Sequence, residues 1–151
     1  MSIQVQTQAL GLDQLHATLQ AGDPGVGAVV TFVGYVRDLN LGQAVQSLYL
    51  EHYPGMTEAS LQRIVEQARA RWPLQRVRLV HRVGLLPVGE PIVFVGVASA
   101  HRQAAFEACA FIMDYLKTRA PFWKREATPA GERWVDGRES DQQAAQRWTQ
   151  P

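Results

Sequence analysis

The sequence predicts an α+β fold, a mixed and mostly antiparallel sheet with helices packed against it. Three observations carry this. The segments 27–37 and 91–100 are almost continuously apolar, as strands buried on both faces are. The segments 57–72 and 103–118 repeat apolar residues at helical spacing. The order along the chain is helix, two strands, helix, two strands, helix, which favours a mixed sheet with helices packed on it.

Taken in order, LDQLHATLQAG (12–22) reads as a short amphipathic helix stopped by glycine. The loop AGDPGVG follows, and its glycines match neither GxGxxG nor a phosphate-binding loop. GAVVTFVGYVR (27–37) is a buried strand closed by Arg37, and DLNLGQ is turn chemistry. VQSLYLEHY (45–53) alternates, with Leu48 and Leu50 on one face, and is predicted to be the antiparallel partner of 27–37. Pro54-Gly55 breaks the chain. Thr57 is the expected N-cap of a helix whose stripe is Leu61, Ile64, Val65, Ala68 and Trp72, ended by Pro73. In 76–84, Val77, Leu79, His81 and Val83 alternate with arginines, the pattern of a half-exposed strand. LLPVGE reads as a turn, 91–100 as the second buried strand, and 103–118 as a long helix ended before Pro121. Phe122 and Trp123 read as a hydrophobic clasp under the sheet. ERWV adds a short strand, and the polar tail, about 138–151, holds a short helix.

A length of 151 residues points to a single domain, and 46% hydrophobic against 19% charged residues permits a real core. The net charge of +1 excludes a global field for nucleic acid or an anionic membrane, so any basic site is local. No basic segment precedes a long apolar run, and no stretch approaches the roughly 20 apolar residues of a membrane span, so a cytoplasmic protein is expected. The one cysteine, Cys109, falls in phase with Phe106, Met113 and Leu116 and reads as core. His16, His52, His81 and His101 show no ligand spacing and there is no CxxC, so neither a metal nor another cofactor is expected.

The charges of LKTRAPFWKRE (116–126) are less ordinary. Of fifteen Lys and Arg residues only Lys117 and Lys124 are lysine, and both lie here. A guanidinium stays charged, whereas an amine can give up a proton. Arg125 and Glu126 next to them read as an exposed pair of little energetic value. Between residues 101 and 125 five Lys and Arg stand against two acids, an excess far above that of the whole chain, which favours a focused anionic ligand. His101 and Arg102 open the long helix, where the dipole disfavours cations and favours anions; together with the first N–H groups they form a candidate anion site. Arg102 also pushes His101 towards its neutral form. Arg37, at the end of a buried strand, is a third candidate anion ligand. Helix geometry sets the start of this helix, with His101, roughly 23 Å from Lys117, so a shared site needs a long substrate, a bent helix or a second subunit.

FVGYVRDLN, LEHYPGM, HRVGLLPVGE, SAHRQAAFEA and LKTRAPFWKRE, in that order, resemble the catalytic (large) subunit family of molybdopterin synthase, over about residues 27–148. The resemblance implies an α/β-hammerhead-like fold with a small additional α+β lobe. It implies an enzyme that adds two sulfurs to cyclic pyranopterin monophosphate, forming the dithiolene of molybdopterin. The sulfur arrives as a thiocarboxylate on the C-terminal Gly-Gly of a small ubiquitin-like sulfur-carrier subunit. The large subunit forms a homodimer at the centre of a heterotetramer. Lys117 and Lys124 match the family's catalytic lysines. Arg37, His101, Arg102, Tyr35, Val36, Arg125 and Glu126 then belong to the substrate-binding set, with Arg138 reaching in from the second subunit.

Two other readings use the same residues. A nucleic-acid-binding module would stack bases on Phe122 and Trp123 and hold phosphates with the basic residues. A non-catalytic scaffold would bind a ubiquitin-like partner through 116–126 and tolerate Lys117→Arg.

Overall fold

The computed structural model of the chain describes residues 2–40, 42–135 and 139–149. In chain order its elements are β1 (Ile3–Gln6), α1 (Leu12–Gln20), β2 (Ala28–Tyr35), β3 (Leu39–Asn40), β4 (Gln43–Ala44), β5 (Ser47–His52) and α2 (Met56–Arg71). There follow β6 (Leu74–Arg82), β7 (Gly84–Pro87), β8 (Pro91–Ser99), α3 (Arg102–Arg119), β9 (Phe122–Thr128), β10 (Gly131–Val135) and α4 (Glu139–Gln146). The first sheet has the order β1-β6-β8-β2 and is antiparallel except where β1 pairs β6. The second, β10-β9-β5-β7, is antiparallel throughout, and β3-β4 is a separate two-stranded ribbon. The fold is therefore the mixed α+β class that the pattern predicts.

The core is built on β8, in which every residue from Ile92 to Ser99 is buried. Val95 and Val97 face α2 and α3, which bring Leu61, Ile64, Val65, Phe111 and Ile112 onto that side. Phe94 and Ala98 face the opposite way and meet Leu19 of α1. A Cβ at Gly96 would lie 2.4 Å from Leu19 Cδ1, so the missing side chain lets α1 close on the sheet.

Several elements differ from the sequence expectations, each for a local reason. Strand 45–53 is not the partner of 27–37. β2 pairs β8 from Ala28–Ser99 to Tyr35–Pro91, and β5 lies in the second sheet between β7 and β9. LLPVGE is not all turn: Gly84, at φ +93°, bends the chain out of β6 and into β7, a strand of the other sheet. The expected clasp at Phe122 and Trp123 is the start of β9, where Phe122 turns inward and Trp123 outward. β6 is half-exposed only at its start, because residues 79–82 are buried on both faces once β1 and the second sheet cover them. β1 itself, IQVQ, is too short and polar to announce a strand. β10 and α4 agree with the predicted short strand and tail helix.

Thr57 does not cap α2. The helix starts at Met56, and the Glu58 carboxylate accepts the Gly55 N–H at 3.2 Å. The Thr57 hydroxyl, wholly buried, accepts the Tyr53 N–H and donates to the Pro121 carbonyl, both at 2.9 Å. It ties the start of α2 to the chain that enters β9. Thr57→Val keeps the shape but orphans both backbone groups, and is expected to lower stability by about 1–3 kcal/mol. Urea unfolding checks this; an unchanged midpoint would mean that water replaces the hydroxyl.

Candidate active site

α3 ends at Arg119, Ala120 is extended, and Pro121 leads straight into β9. This short connection puts Lys117, in the last turn of α3, and Lys124, on β9, on one cavity of about 610 Å³. Both sheets contribute to its wall. The end of β2 and the residues after it bring Tyr35, Val36 and Arg37. β6 brings His81, and β9 brings Phe122 and Glu126 beside Lys124. Asp141 and Gln142 of α4 complete one side.

The rim beyond β2 is held by backbone bonds. The Val36 N–H donates to the Glu90 carbonyl at 3.0 Å, and the Val36 carbonyl accepts the Gly89 N–H at 2.8 Å. Val36 is buried, while Tyr35 and Arg37 stay exposed at the cavity mouth. Arg37 forms no ion pair with another described residue, which leaves its guanidinium available to an anion.

Glu126 and Arg125 are not the exposed pair that their adjacency implied. Neighbours on a strand point to opposite faces. Glu126 is buried; its carboxylate accepts Asn40 Nδ2 at 3.0 Å and Arg133 Nε and Nη2 at 3.1 and 3.0 Å. Arg133 also donates to the Asn40 carbonyl at 3.0 Å, closing a three-residue network under Lys124's strand. Arg125 lies on the outer face, paired with Glu132 at 3.3 Å and set over Tyr49 and Trp134. It is not among the residues that line the cavity. Because Phe122 and Trp123 also face opposite ways, β9 offers no continuous stacking platform, and the nucleic-acid reading loses its main support.

His101 and Arg102 stand at the far end of α3, exposed, in a surface depression shared with Gln103, Phe106 and Glu107. No side chain caps this helix end and its first turn has no acid. Hydrogen bonds from Gln103 and Trp72 hold the Glu107 carboxyl below its ordinary range. Within one chain these two residues do not meet the lysines, as the helix length required. Arg138 lies outside the described residues.

Sequence reasoning placed His81 on the core face but not in the site. The ring is 4% exposed and stacks on Phe122, with centroids 4.1 Å apart and planes 23° from parallel. Nδ1 lies 2.8 Å from the Arg82 carbonyl, which can only accept, so Nδ1 carries the hydrogen. Burial pushes its pKa down to about 3; the Arg82 carbonyl opposes this, and the charges of Lys124, Lys117 and His52 add to it. The unfolded chain takes up a proton near pH 6.5 that the folded chain refuses until about pH 3. Stability is therefore fully present above pH 6.5 and falls by up to about 1.4 kcal/mol per pH unit below it. Replacing His81 with glutamine should flatten the slope of unfolding free energy between pH 4 and 6 by about one proton. An unchanged slope would mean that His81 is protonated in the native state.

Cys109 is buried, with its thiol pushed up to about 11 by desolvation and Sγ 3.9 Å from the Val95 carbonyl. It is core, as expected, and has no thiolate to offer at neutral pH. Among the described residues no group of three or more His, Cys, Asp or Glu is placed to hold a metal, and no helix is long and apolar enough to cross a membrane.

Comparison with known proteins agrees with this geometry. The family model described as MoaE protein matches residues 5–119. The molybdopterin synthase catalytic subunit of Pseudomonas aeruginosa is 62% identical over 98% of this chain and 99% of its own. The protein of that name from Escherichia coli is 70% identical over 81% of each. The solved molybdopterin biosynthesis MoaE protein of Burkholderia ambifaria superposes with a TM-score of 0.84 at 49% identity, covering 99% of both chains. The chain belongs to the MoaE family.

Proposed function

We propose that this chain is the catalytic subunit of a molybdopterin synthase, a sulfurtransferase that adds two sulfurs to cyclic pyranopterin monophosphate and so forms the dithiolene. The observation that carries this reading is the convergence of the chain's only two lysines on one cavity. The names of its relatives agree with it.

The chain has no thiol suited to carry sulfur, since its one cysteine is buried and protonated. Sulfur must then come from outside, and a catalytic subunit implies another subunit to bring it. In this reading a small ubiquitin-like partner inserts a C-terminal glycine thiocarboxylate at the mouth of the cavity. Lys117, exposed at the end of α3, orients that group and assists proton transfer. Lys124, deeper on β9, stabilises negative charge that develops on the substrate or on a tetrahedral intermediate. Arg37 attracts the phosphate, and the Asn40–Glu126–Arg133 network fixes the strand that carries Lys124. In a homodimer at the centre of a heterotetramer, His101, Arg102 and Arg138 of one protomer supply further phosphate ligands to the cavity of the other.

The test is reconstitution. Purified chain, thiocarboxylated small subunit and cyclic pyranopterin monophosphate are combined, and the dithiolene product is detected by its oxidised fluorescent derivative. Product that depends on all three components supports the synthase. A folded chain that binds the partner and yields no product would leave a non-catalytic scaffold.

A further inference from the structure

The cavity carries acceptors on its α4 side, Asp141 and Gln142, and at its mouth, Tyr35, whereas the polar groups of its remaining wall are mostly donors or already engaged. Lys117, Lys124 and Arg37 are cationic donors. The Glu126 carboxylate is taken by Asn40 and Arg133. His81 differs. Its Nδ1 hydrogen is spent on the Arg82 carbonyl, and its ring plane is fixed by the stack on Phe122. Nε2 has no hydrogen-bond partner among the described residues, yet it is not among the side-chain atoms sealed from solvent, and His81 lines the cavity. Nε2 is thus an unused acceptor on a residue that lines the cavity shared by the two lysines.

We propose that His81 is a substrate-recognition residue, a neutral acceptor in the cavity wall that takes an N–H or O–H donor on the heterocycle of the ligand. The identity of that heterocycle as a pterin rests on the function proposed above. The nearby positive charges of Lys124 on β9 and Lys117 on α3 disfavour a further positive charge on the ring. An uncharged Nε2 has no hydrogen to give an anion, and its lone pair repels one. The cavity thus sorts the two ends of its ligand. The anionic end goes to the lysines and Arg37, and the donor edge of the ring goes to His81. Leaving such an acceptor unmatched in a desolvated site is what gives hydrogen-bonding pockets their selectivity.

The test compares His81→Phe and His81→Gln with the parent, each as the full chain with its partner bound. Phenylalanine keeps a ring for the stack on Phe122 but has no acceptor. Glutamine keeps an acceptor near the Nε2 position. The dissociation constant for cyclic pyranopterin monophosphate is expected to rise about 10- to 100-fold in His81→Phe and to stay within about fivefold in His81→Gln. Affinity for inorganic phosphate should be the same in all three. Equal pterin affinity in His81→Phe and the parent, or a parallel loss of pterin and phosphate binding, would overturn the role of His81. A parent that binds no pterin at all would instead overturn the function and, with it, the ligand named here. If either variant fails to fold, the parent labelled with 15N-histidine decides. The His81 Nε2 resonance should stay that of an unprotonated nitrogen from pH 5 to 8 and move on adding the pterin but not phosphate. A resonance that ignores the pterin would overturn the proposal.

Discussion

Lys117→Arg is expected to cut dithiolene formation at least about 100-fold, the scale of a lost proton-transfer group, while partner binding changes little. The substitution keeps the charge and the length that a docking contact needs. It removes an amine able to give up a proton. Lys124→Arg should also be inactive by about 100-fold or more, because a planar guanidinium cannot take the place of a compact ammonium aimed at developing charge. Single-turnover rates at saturating partner and substrate measure both. Full activity in Lys117→Arg would mean that the residue serves only as a charge, and the proton would have to move elsewhere.

Phe111→Ala carries the largest expected effect on stability, about 3–5 kcal/mol, with a fall in Tm on the order of 10 °C. Phe111 is 1% exposed on α3 and holds a cluster that joins three helical segments. Trp72 meets it edge-on at 5.4 Å, Trp148 at 5.6 Å, and Tyr115 lies tilted at 4.3 Å. The Arg71 guanidinium sits 5.0 Å from its ring and donates to the Trp148 carbonyl at 2.9 Å. Trp148 in turn donates from Nε1 to Asp114 at 2.7 Å, and Arg147 pairs with the same carboxylate at 2.9 Å. This cluster anchors the chain after α4, the helix that brings Asp141 and Gln142 to the cavity wall. Removing the ring should loosen that wall as well as the core, so substrate affinity should fall with stability. Thermal unfolding and substrate binding, measured on one preparation, check both. A loss below about 1 kcal/mol would mean that the surrounding rings collapse into the space.

The parts legible in the sequence were those written in local periodicity. The apolar run at 91–100 and the stripes of α2 and α3 could be read because each repeats one pattern over several turns or residues. The partnering of β5 could not, since alternation at Leu48 and Leu50 is satisfied equally well by either sheet. β7 and β9 were missed for a related reason. Gly84 and Pro121 look like ends of elements, and only the tertiary fold shows that the chain passes through them into the second sheet. Two of the cavity's cations, Lys117 and Lys124, stand out in the sequence because they are the two lysines among fifteen basic residues. The side of β9 on which Arg125 lies is not legible, because it depends on a strand that the local sequence does not announce. His81 was hidden by its own neighbours, since a histidine in phase with Val77 and Leu79 reads as core. The ring it stacks on, Phe122, lies some forty residues along the chain.

The central claim is that the cavity between Lys117 and Lys124 is where substrate binds. A crystal structure of the chain with cyclic pyranopterin monophosphate tests it most directly. The pterin is expected in that cavity, within hydrogen-bonding distance of Lys124 and His81, with its phosphate towards Arg37. A ligand bound at the far end of α3, touching His101 and Arg102 but neither lysine of either protomer, would contradict it.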